Sequence, residues 1–128
     1  MADPFMNDET ESFIRSFGVE KVYKDYKEII NDAEIDAVMV CSSTDTHAPI
    51  SIEAINAGKH VFCEKPLANT VDKILEIADA LKAHPEVKFQ GGFNRRFDHN
   101  FAAIRKAYDE GKIGDAQILK ITSRDPQA

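Results

Sequence analysis

Short apolar runs along the chain are separated by longer segments in which apolar residues recur at helical spacing. The runs at 35–41, 60–63 and 87–91 have the length and composition of strands, and we expect the first to be buried on both faces. The amphipathic segments predict helices at 7–17, 26–31, 46–57, 70–83 and 98–110. Strands that alternate with helices of this length predict βαβ units and a parallel sheet, which is an α/β fold.

Three shorter segments are predicted from local pattern alone. Residues 21–23 are a candidate short strand, and residues 92–97 are expected to form a loop. Residues 116–123 alternate between apolar and polar side chains, which is typical of a strand with one face in water. Because this pattern differs from that of the earlier strands, we expect it to begin a different, antiparallel sheet.

Composition and charge exclude several classes of protein. The net charge of −6 over 128 residues argues against a nucleic-acid partner and against a polybasic membrane-surface protein, since both need a cationic face. No apolar run approaches the roughly 20 residues that span a bilayer, and we expect no secretory signal. Cys41 and Cys63 lack zinc or redox spacing, so we expect free thiols in a cytoplasmic protein and no metal site.

Polar residues follow each predicted buried strand at once, at 41–47, 63–66 and 91–96. In a parallel sheet these carboxyl ends lie along one edge, which is where ligands bind in such folds. We therefore expect the three segments to converge on one crevice.

The triplet Glu64-Lys65-Pro66 is the most informative of these segments. A lysine directly after a buried strand can donate a proton or hydrogen bond to an alcohol or carbonyl oxygen. The alternative is a solvated surface lysine at a helix entrance. Pro66 fixes its own φ and allows a cis peptide bond before it.

The two other segments suit polar ligands, with a structural alternative for each. The hydroxyls of 42–46 at a helix N-terminus suit a phosphate, an amide or a ribose, but Thr44 or Asp45 could equally cap the helix. His47 could equally be a packed, hydrogen-bonded side chain. The arginines in 91–97 suit fixed contacts to hydroxyls or anions, and the alternative is an ion pair with Asp98.

Three stretches together resemble one family: VMVCSSTDTHAPISIEAINAGKHVFCEKPLA, then GGFNRRFD, then IGDAQILKITSRDP. They resemble the Gfo/Idh/MocA family of nicotinamide-dependent oxidoreductases, over residues 3–126. The resemblance implies a Rossmann domain followed by an α/β domain on a large, mostly antiparallel sheet. It also implies a bound NAD or NADP and a polyol or sugar substrate between the two domains.

The resemblance implies roles for individual residues. Lys65 would be the catalytic lysine, touching the substrate hydroxyl and the nicotinamide ribose, and Arg95 would lie beside the substrate. Asp3 would pair with the adenosine ribose hydroxyls, which favours NAD over NADP. The remaining cofactor-binding residues implied are Ser42, Ser43, Thr44, His47, Glu64 and Asn94.

The sequence departs from the family pattern in one important respect, because no G-x-G-x-x-G motif follows a strand. The family's first strand, glycine-rich loop and first helix would precede Met1, and its catalytic Asp and His would follow the last residue. We therefore expect an incomplete doubly wound sheet at 1–112 and the first strand of the second domain at 113–128.

The missing strand would leave residues 37–40 at an unpaired, apolar sheet edge, and such edges invite pairing with another chain. We therefore expect a homo-oligomer, or a rearranged or disordered segment over the first 20 or so residues. Three functions stay open: part of an NAD-dependent polyol dehydrogenase of the inositol type, inactive by itself; an inert or merely binding module; and a dehydrogenase of another sugar.

Overall fold

The computed structural model describes residues 1–122 and 124. The chain divides into two compact units, residues 1–92 and 93–128. The domain boundary expected at 112/113 stays a prediction.

The first unit contains a three-stranded parallel sheet. Its strands are β1 (Ala37–Val40), β2 (His60–Cys63) and β3 (Phe89–Gly91), in the order β1-β2-β3. Val38 is in register with Val61, and Phe62 with Gln90. The predicted α/β fold with a parallel sheet is confirmed, and β1 forms an edge of this sheet.

Four helices belong to this unit: α1 (Asp8–Ser16), α2 (Tyr26–Ile30), α3 (Thr44–Asn56) and α4 (Val71–Ala83). The side chains of Asn7, Asp25 and Thr70 each accept a backbone N–H at a helix start, as N-cap residues do. At α3 the N-cap is Ser43, and no side chain caps it. Capping of α3 by Thr44 or Asp45 is therefore wrong, because both residues already lie within the helix.

The strand expected at 21–23 is reduced to a single bridge between Ala2 and Tyr23. Two backbone hydrogen bonds support it, from the Asp3 N–H to the Tyr23 carbonyl and from the Tyr23 N–H to the Met1 carbonyl. Pairing over one position is too short for a strand.

The core lies on one face of the sheet. Val40, Val61 and Cys63 pack there with side chains of α3 and α4, and Ile55 of α3 is fully buried. On the opposite face Ala37 is exposed and Met39 is 68% exposed. The expectation that 35–41 is buried on both faces is wrong, because the helices that bury it pack against Val38 and Val40 alone.

The second unit is helical over its first residues. A 3₁₀ helix, Asn94–Phe97, replaces the loop expected at 92–97, and α5 (His99–Asp109) follows. Asp98 caps α5 by accepting the N–H groups of Asn100 and Phe101. Residues 116–122 form no strand, so that prediction is wrong over these residues, and Ser123 lies outside the described residues. A strand needs a hydrogen-bonded neighbour, and the described residues of this unit form none.

Candidate functional site at the carboxyl ends of the strands

The turn after β1 carries a directed pair of hydroxyls. Thr46 Oγ1 donates to the Ser43 carbonyl at 2.7 Å and lies 2.6 Å from Ser42 Oγ. Because the proton of Thr46 is used on the carbonyl, Ser42 is the donor in the second bond. Ser42 is exposed and therefore accessible to a ligand. Because its proton is already used, its hydroxyl can only accept a hydrogen bond from that ligand. This turn therefore suits a ligand group that donates, such as an amide NH₂ or a ribose hydroxyl.

His47, in the first turns of α3, is buried at 2% exposure. Its Nδ1 lies 2.8 Å from the Pro66 carbonyl oxygen, and its Nε2 lies 2.9 Å from the Ser42 carbonyl oxygen. The ring therefore links the turn after β1 to the turn after β2, as a packed, hydrogen-bonded histidine. Contact between His47 and a cofactor stays a prediction.

The turn after β2 holds Glu64 and Lys65. The Glu64 N–H donates to the Val40 carbonyl at 2.9 Å, and Glu64 Oε2 accepts the Lys65 N–H at 3.1 Å. The peptide bond between Lys65 and Pro66 is cis. The Lys65 side chain is exposed, and within 1–122 it forms no ion pair, so its ammonium group is available to a ligand.

The end of β3 lies against this turn. The Gly92 N–H donates to the Cys63 carbonyl at 2.8 Å, and a Cβ at Gly92 would lie 2.8 Å from Glu64 Oε2. Gly92 is therefore a close neighbour of a candidate site residue, which the sequence analysis missed. The only signal was a glycine pair at a strand end, and this does not reveal which side chain crosses it. The three strand ends of this unit do come together, as expected.

The two thiols near this edge are poor nucleophiles. Burial raises the pKa of Cys63 and also that of Cys41, and the carboxylate of Glu64 adds to both shifts. Both cysteines are free. Because the thiolate is the reactive form, neither is activated for covalent chemistry.

Of the other three candidate residues, Asp3 belongs to the first unit, and Asn94 and Arg95 belong to the second. Asp3 belongs to the bridge with Tyr23, and its Oδ1 accepts the Phe5 N–H at 2.8 Å. Asn94 begins the 3₁₀ helix of the second unit. In the same unit the Arg95 guanidinium lies over the ring of Phe101, 5.3 Å from its centroid.

The alternative of an ion pair between Asp98 and Arg95 or Arg96 is wrong. The Asp98 carboxylate accepts two backbone N–H groups of α5 at 2.9 and 3.2 Å. A carboxylate that caps a helix in this way is held at the helix end, and the Arg95 side chain packs on Phe101.

Residues 1–122 and 124 contain neither a cluster of metal-ligating side chains nor a membrane-spanning helix. No three His, Cys, Asp or Glu side chains among them are grouped as metal ligands. No helix in this part of the chain has the length and apolarity to cross a membrane.

The parallel strands, their intervening helices and the polar turns at the strand ends define a Rossmann-type NAD-binding domain. The chain belongs to the Gfo/Idh/MocA family, described as "Oxidoreductase family, NAD-binding Rossmann fold", whose model matches residues 6–93.

Individual relatives include inositol dehydrogenases. The chain is 49% identical to "Myo-inositol 2-dehydrogenase" of Thermotoga maritima over 85% of its own length and 32% of that protein. It is similar to scyllo-inositol dehydrogenase from Lactobacillus casei solved with NAD(H) and scyllo-inositol, with a TM-score of 0.81 and 36% identity. That match covers 89% of this chain and 33% of the other. It is also similar to levoglucosan dehydrogenase in complex with NADH and levoglucosan, with a TM-score of 0.78 and 36% identity. That match covers 88% of this chain and 30% of the other. The chain thus spans about a third of the length of these relatives.

Proposed function

We propose that this chain supplies the nicotinamide side of the active site of an NAD-dependent oxidoreductase. The reaction would oxidise a secondary alcohol of an inositol-like polyol by hydride transfer to nicotinamide. One observation carries the proposal: Lys65 has an exposed side chain on the turn after β2, joined to the polar turn after β1 and to the end of β3. The inositol dehydrogenases among the relatives support the substrate class.

The residues of this chain fit part of NAD. The Ser42 hydroxyl offers an acceptor to the carboxamide NH₂ or a ribose hydroxyl of the cofactor. Ser43 and Thr44 follow it in sequence, Glu64 lies at the end of the neighbouring strand, and we propose that all three also face the cofactor. Asp3 would accept the adenosine ribose hydroxyls, and an acid there favours NAD over NADP. NAD supplies the hydride acceptor when it is bound. The sequence has no G-x-G-x-x-G segment to hold the pyrophosphate.

Lys65 would act on the substrate oxygen. Its ammonium group would donate a hydrogen bond to the reacting hydroxyl and hold that oxygen in place. Asn94 and Arg95 would contact nicotinamide and substrate, as the family resemblance implies. Because the resemblance places a further catalytic Asp and His outside these 128 residues, we expect no turnover from this chain alone.

A titration of the ¹⁵N-labelled chain with NAD tests the proposal, because amide shifts detect binding at Kd values of about 1 mM or weaker. We expect weak binding, with the largest shifts at the turns that carry Ser42 and Lys65. Lys65→Met should weaken it several-fold, whereas Lys88→Met, an exposed lysine at the opposite end of the sheet, should leave it unchanged. NADP should shift these amides less than NAD does, because Asp3 favours NAD. In Asp3→Asn the shifts caused by the two cofactors should become more similar. No shift with NAD would favour an inert module.

A second candidate is a dehydrogenase of another sugar, which the likeness to levoglucosan dehydrogenase favours. The two substrate classes share the secondary alcohol that Lys65 would contact. Saturation-transfer measurements with NAD present, using myo-inositol and levoglucosan in competition, would distinguish them. Preferential binding of levoglucosan over myo-inositol would overturn the inositol assignment.

We also propose that the chain associates with a second copy of itself through β1. Its backbone edge is free in the described sheet, and the adjacent Met39 side chain is 68% exposed. Light scattering should give a dimer or larger species, and Met39→Lys should shift it to monomer. Leu75→Lys, a matched change at an exposed position of α4, should have no effect. A monomeric wild-type chain would contradict this.

The two free cysteines support a cytoplasmic location, where thiols stay reduced.

A further inference from the structure

His47 makes an unusual pair of contacts for a buried polar side chain. The ring is 2% exposed, and each of its nitrogens lies within 2.9 Å of a backbone carbonyl oxygen. One carbonyl belongs to Ser42, after β1, and the other to Pro66, after β2. The histidine therefore spans two turns that carry candidate ligand-binding residues.

Both partners of the ring can only accept hydrogen bonds. A neutral imidazole has one N–H group and can donate to one of the two carbonyls, whereas an imidazolium can donate to both. The ring stands between the two turns, with its two nitrogens 2.8 and 2.9 Å from the two oxygens. A change in ring position would move one turn relative to the other.

The backbone of Lys65 is held on both sides by this arrangement. On one side its N–H donates to Glu64 Oε2 at 3.1 Å, and on the other side the carbonyl of Pro66 meets His47. The Lys65 side chain itself is exposed. The starting point of this side chain is therefore fixed, while the ammonium group stays free to meet a ligand.

Ser42 is held from the same ring. Its carbonyl meets His47 Nε2, and its hydroxyl donates to Thr46 in the same helix. The acceptor side of the Ser42 hydroxyl is thereby fixed in direction. A single side chain thus contacts both the backbone of Ser42 on one turn and the backbone next to Lys65 on the other.

We propose that His47 is a positioning residue, which sets the place of Lys65 relative to Ser42 by bridging the carbonyls of Ser42 and Pro66. Its relevance to catalysis rests on the proposed function, but the bridge itself does not. The residue acts through the two turns and needs no contact with cofactor or substrate.

Two half-replacements test the bridge. The amide of His47→Asn reaches about as far as Nδ1 and keeps a donor for Pro66, and the amide of His47→Gln reaches about as far as Nε2 and keeps a donor for Ser42. His47→Phe removes both donors. His99→Gln, at an exposed histidine of the second unit, is the matched control. If His47→Phe does not fold, the two amide variants carry the test.

The readout is amide hydrogen exchange without NAD, followed by the NAD titration. We expect each amide variant to speed exchange by about tenfold or more in both turns, while β2 keeps its protection, because an amide meets only one of the two carbonyls and no longer links the turns. NAD shifts at the Lys65 turn should then weaken in both variants. Such exchange with no NAD response in the wild-type chain would support the bridge and overturn the proposed function.

Other exchange patterns would overturn the bridge. If exchange rises evenly over the whole unit in step with lost stability, His47 is only a packing residue. If each amide variant loosens only the turn whose bond it lost, the turns are independent and His47 does not set the distance between them.

Discussion

Replacing Gly92 by alanine should displace the Glu64 carboxylate. An ideal Cβ at this position lies 2.8 Å from Glu64 Oε2, 3.0 Å from Cδ and 3.1 Å from Oε1. Ordinary contact begins at 3.4 Å, so the carboxylate must retreat by about 0.6 Å. Gly92 is buried and its N–H is bonded to the Cys63 carbonyl, so the carboxylate gives way before the backbone does.

The energetic effect follows from the bond that the carboxylate makes. Its Oε2 accepts the Lys65 N–H at 3.1 Å, and we expect the displaced carboxylate to lose this bond. Because Glu64 is half-buried, the loss and the strained side chain together amount to about 1 kcal/mol. For a unit of this size that corresponds to a fall in Tm of about 4–8 °C. In the NMR spectrum of Gly92→Ala, the chemical shift of the Lys65 amide should change more than that of any other amide.

A double-mutant cycle separates this contact from a general defect. Thermal unfolding followed by circular dichroism is measured for Gly92→Ala, for Glu64→Ala and for both together. With the carboxylate gone the added methyl group meets nothing, so Gly92→Ala should be close to neutral in the Glu64→Ala background. Glu64→Gln keeps the side-chain size, so the clash should persist in that background. Equal destabilisation by Gly92→Ala in all three backgrounds would refute the reasoning.

Three further changes test the core of the first unit by urea or thermal unfolding. Ser51→Ala should be neutral or stabilise the fold by up to about 1 kcal/mol, because the buried Ser51 hydroxyl has only the weakly accepting Cys63 thiol beside it; clear destabilisation would contradict this. Burial and a 3.0 Å hydrogen bond to Glu53 raise the pKa of Tyr26, so the unfolded chain releases this proton first. The stability it contributes is full below about pH 10 and falls above it, and Tyr26→Phe should flatten that fall. Lys59→Met should destabilise by about 1–3 kcal/mol, since its ammonium group bonds two backbone carbonyls before β1, whereas an exposed-lysine control, Lys82→Met, should not.

Local signals in the sequence were enough for the helices and for one strand. The strand at 60–63 was predicted with the bounds of β2, because a short run rich in apolar residues lies between the helix-ending Gly58 and the charged pair Glu64-Lys65. Asp25, which caps α2, is an acid directly before the predicted helical segment at 26–31, and this is a local signal. Such signals involve neighbours in sequence, so they do not depend on the rest of the fold.

Features that depend on distant residues were not predictable. The apolar run at 35–41 carries no information on which face a helix will cover, so the exposure of Met39 was missed. The alternation at 116–123 is a property of side chains, whereas a strand also needs a hydrogen-bonded partner. The contact between Gly92 and Glu64 joins residues 28 positions apart in sequence, and no local pattern encodes it.

The hydrogen bonds between the strand ends bear on how this edge would bind a ligand. Glu64 N–H to Val40, Gly92 N–H to Cys63 and the His47 bridge join the three ends by contacts within the chain itself. Loops that must be ordered on binding reduce affinity, whereas prearranged ones do not. Weak binding of NAD by this chain would therefore reflect the number of contacts it makes and not the cost of ordering these turns. The exchange rates of the turns with and without NAD distinguish these causes, since ordering on binding would slow them and prearranged turns would show little change.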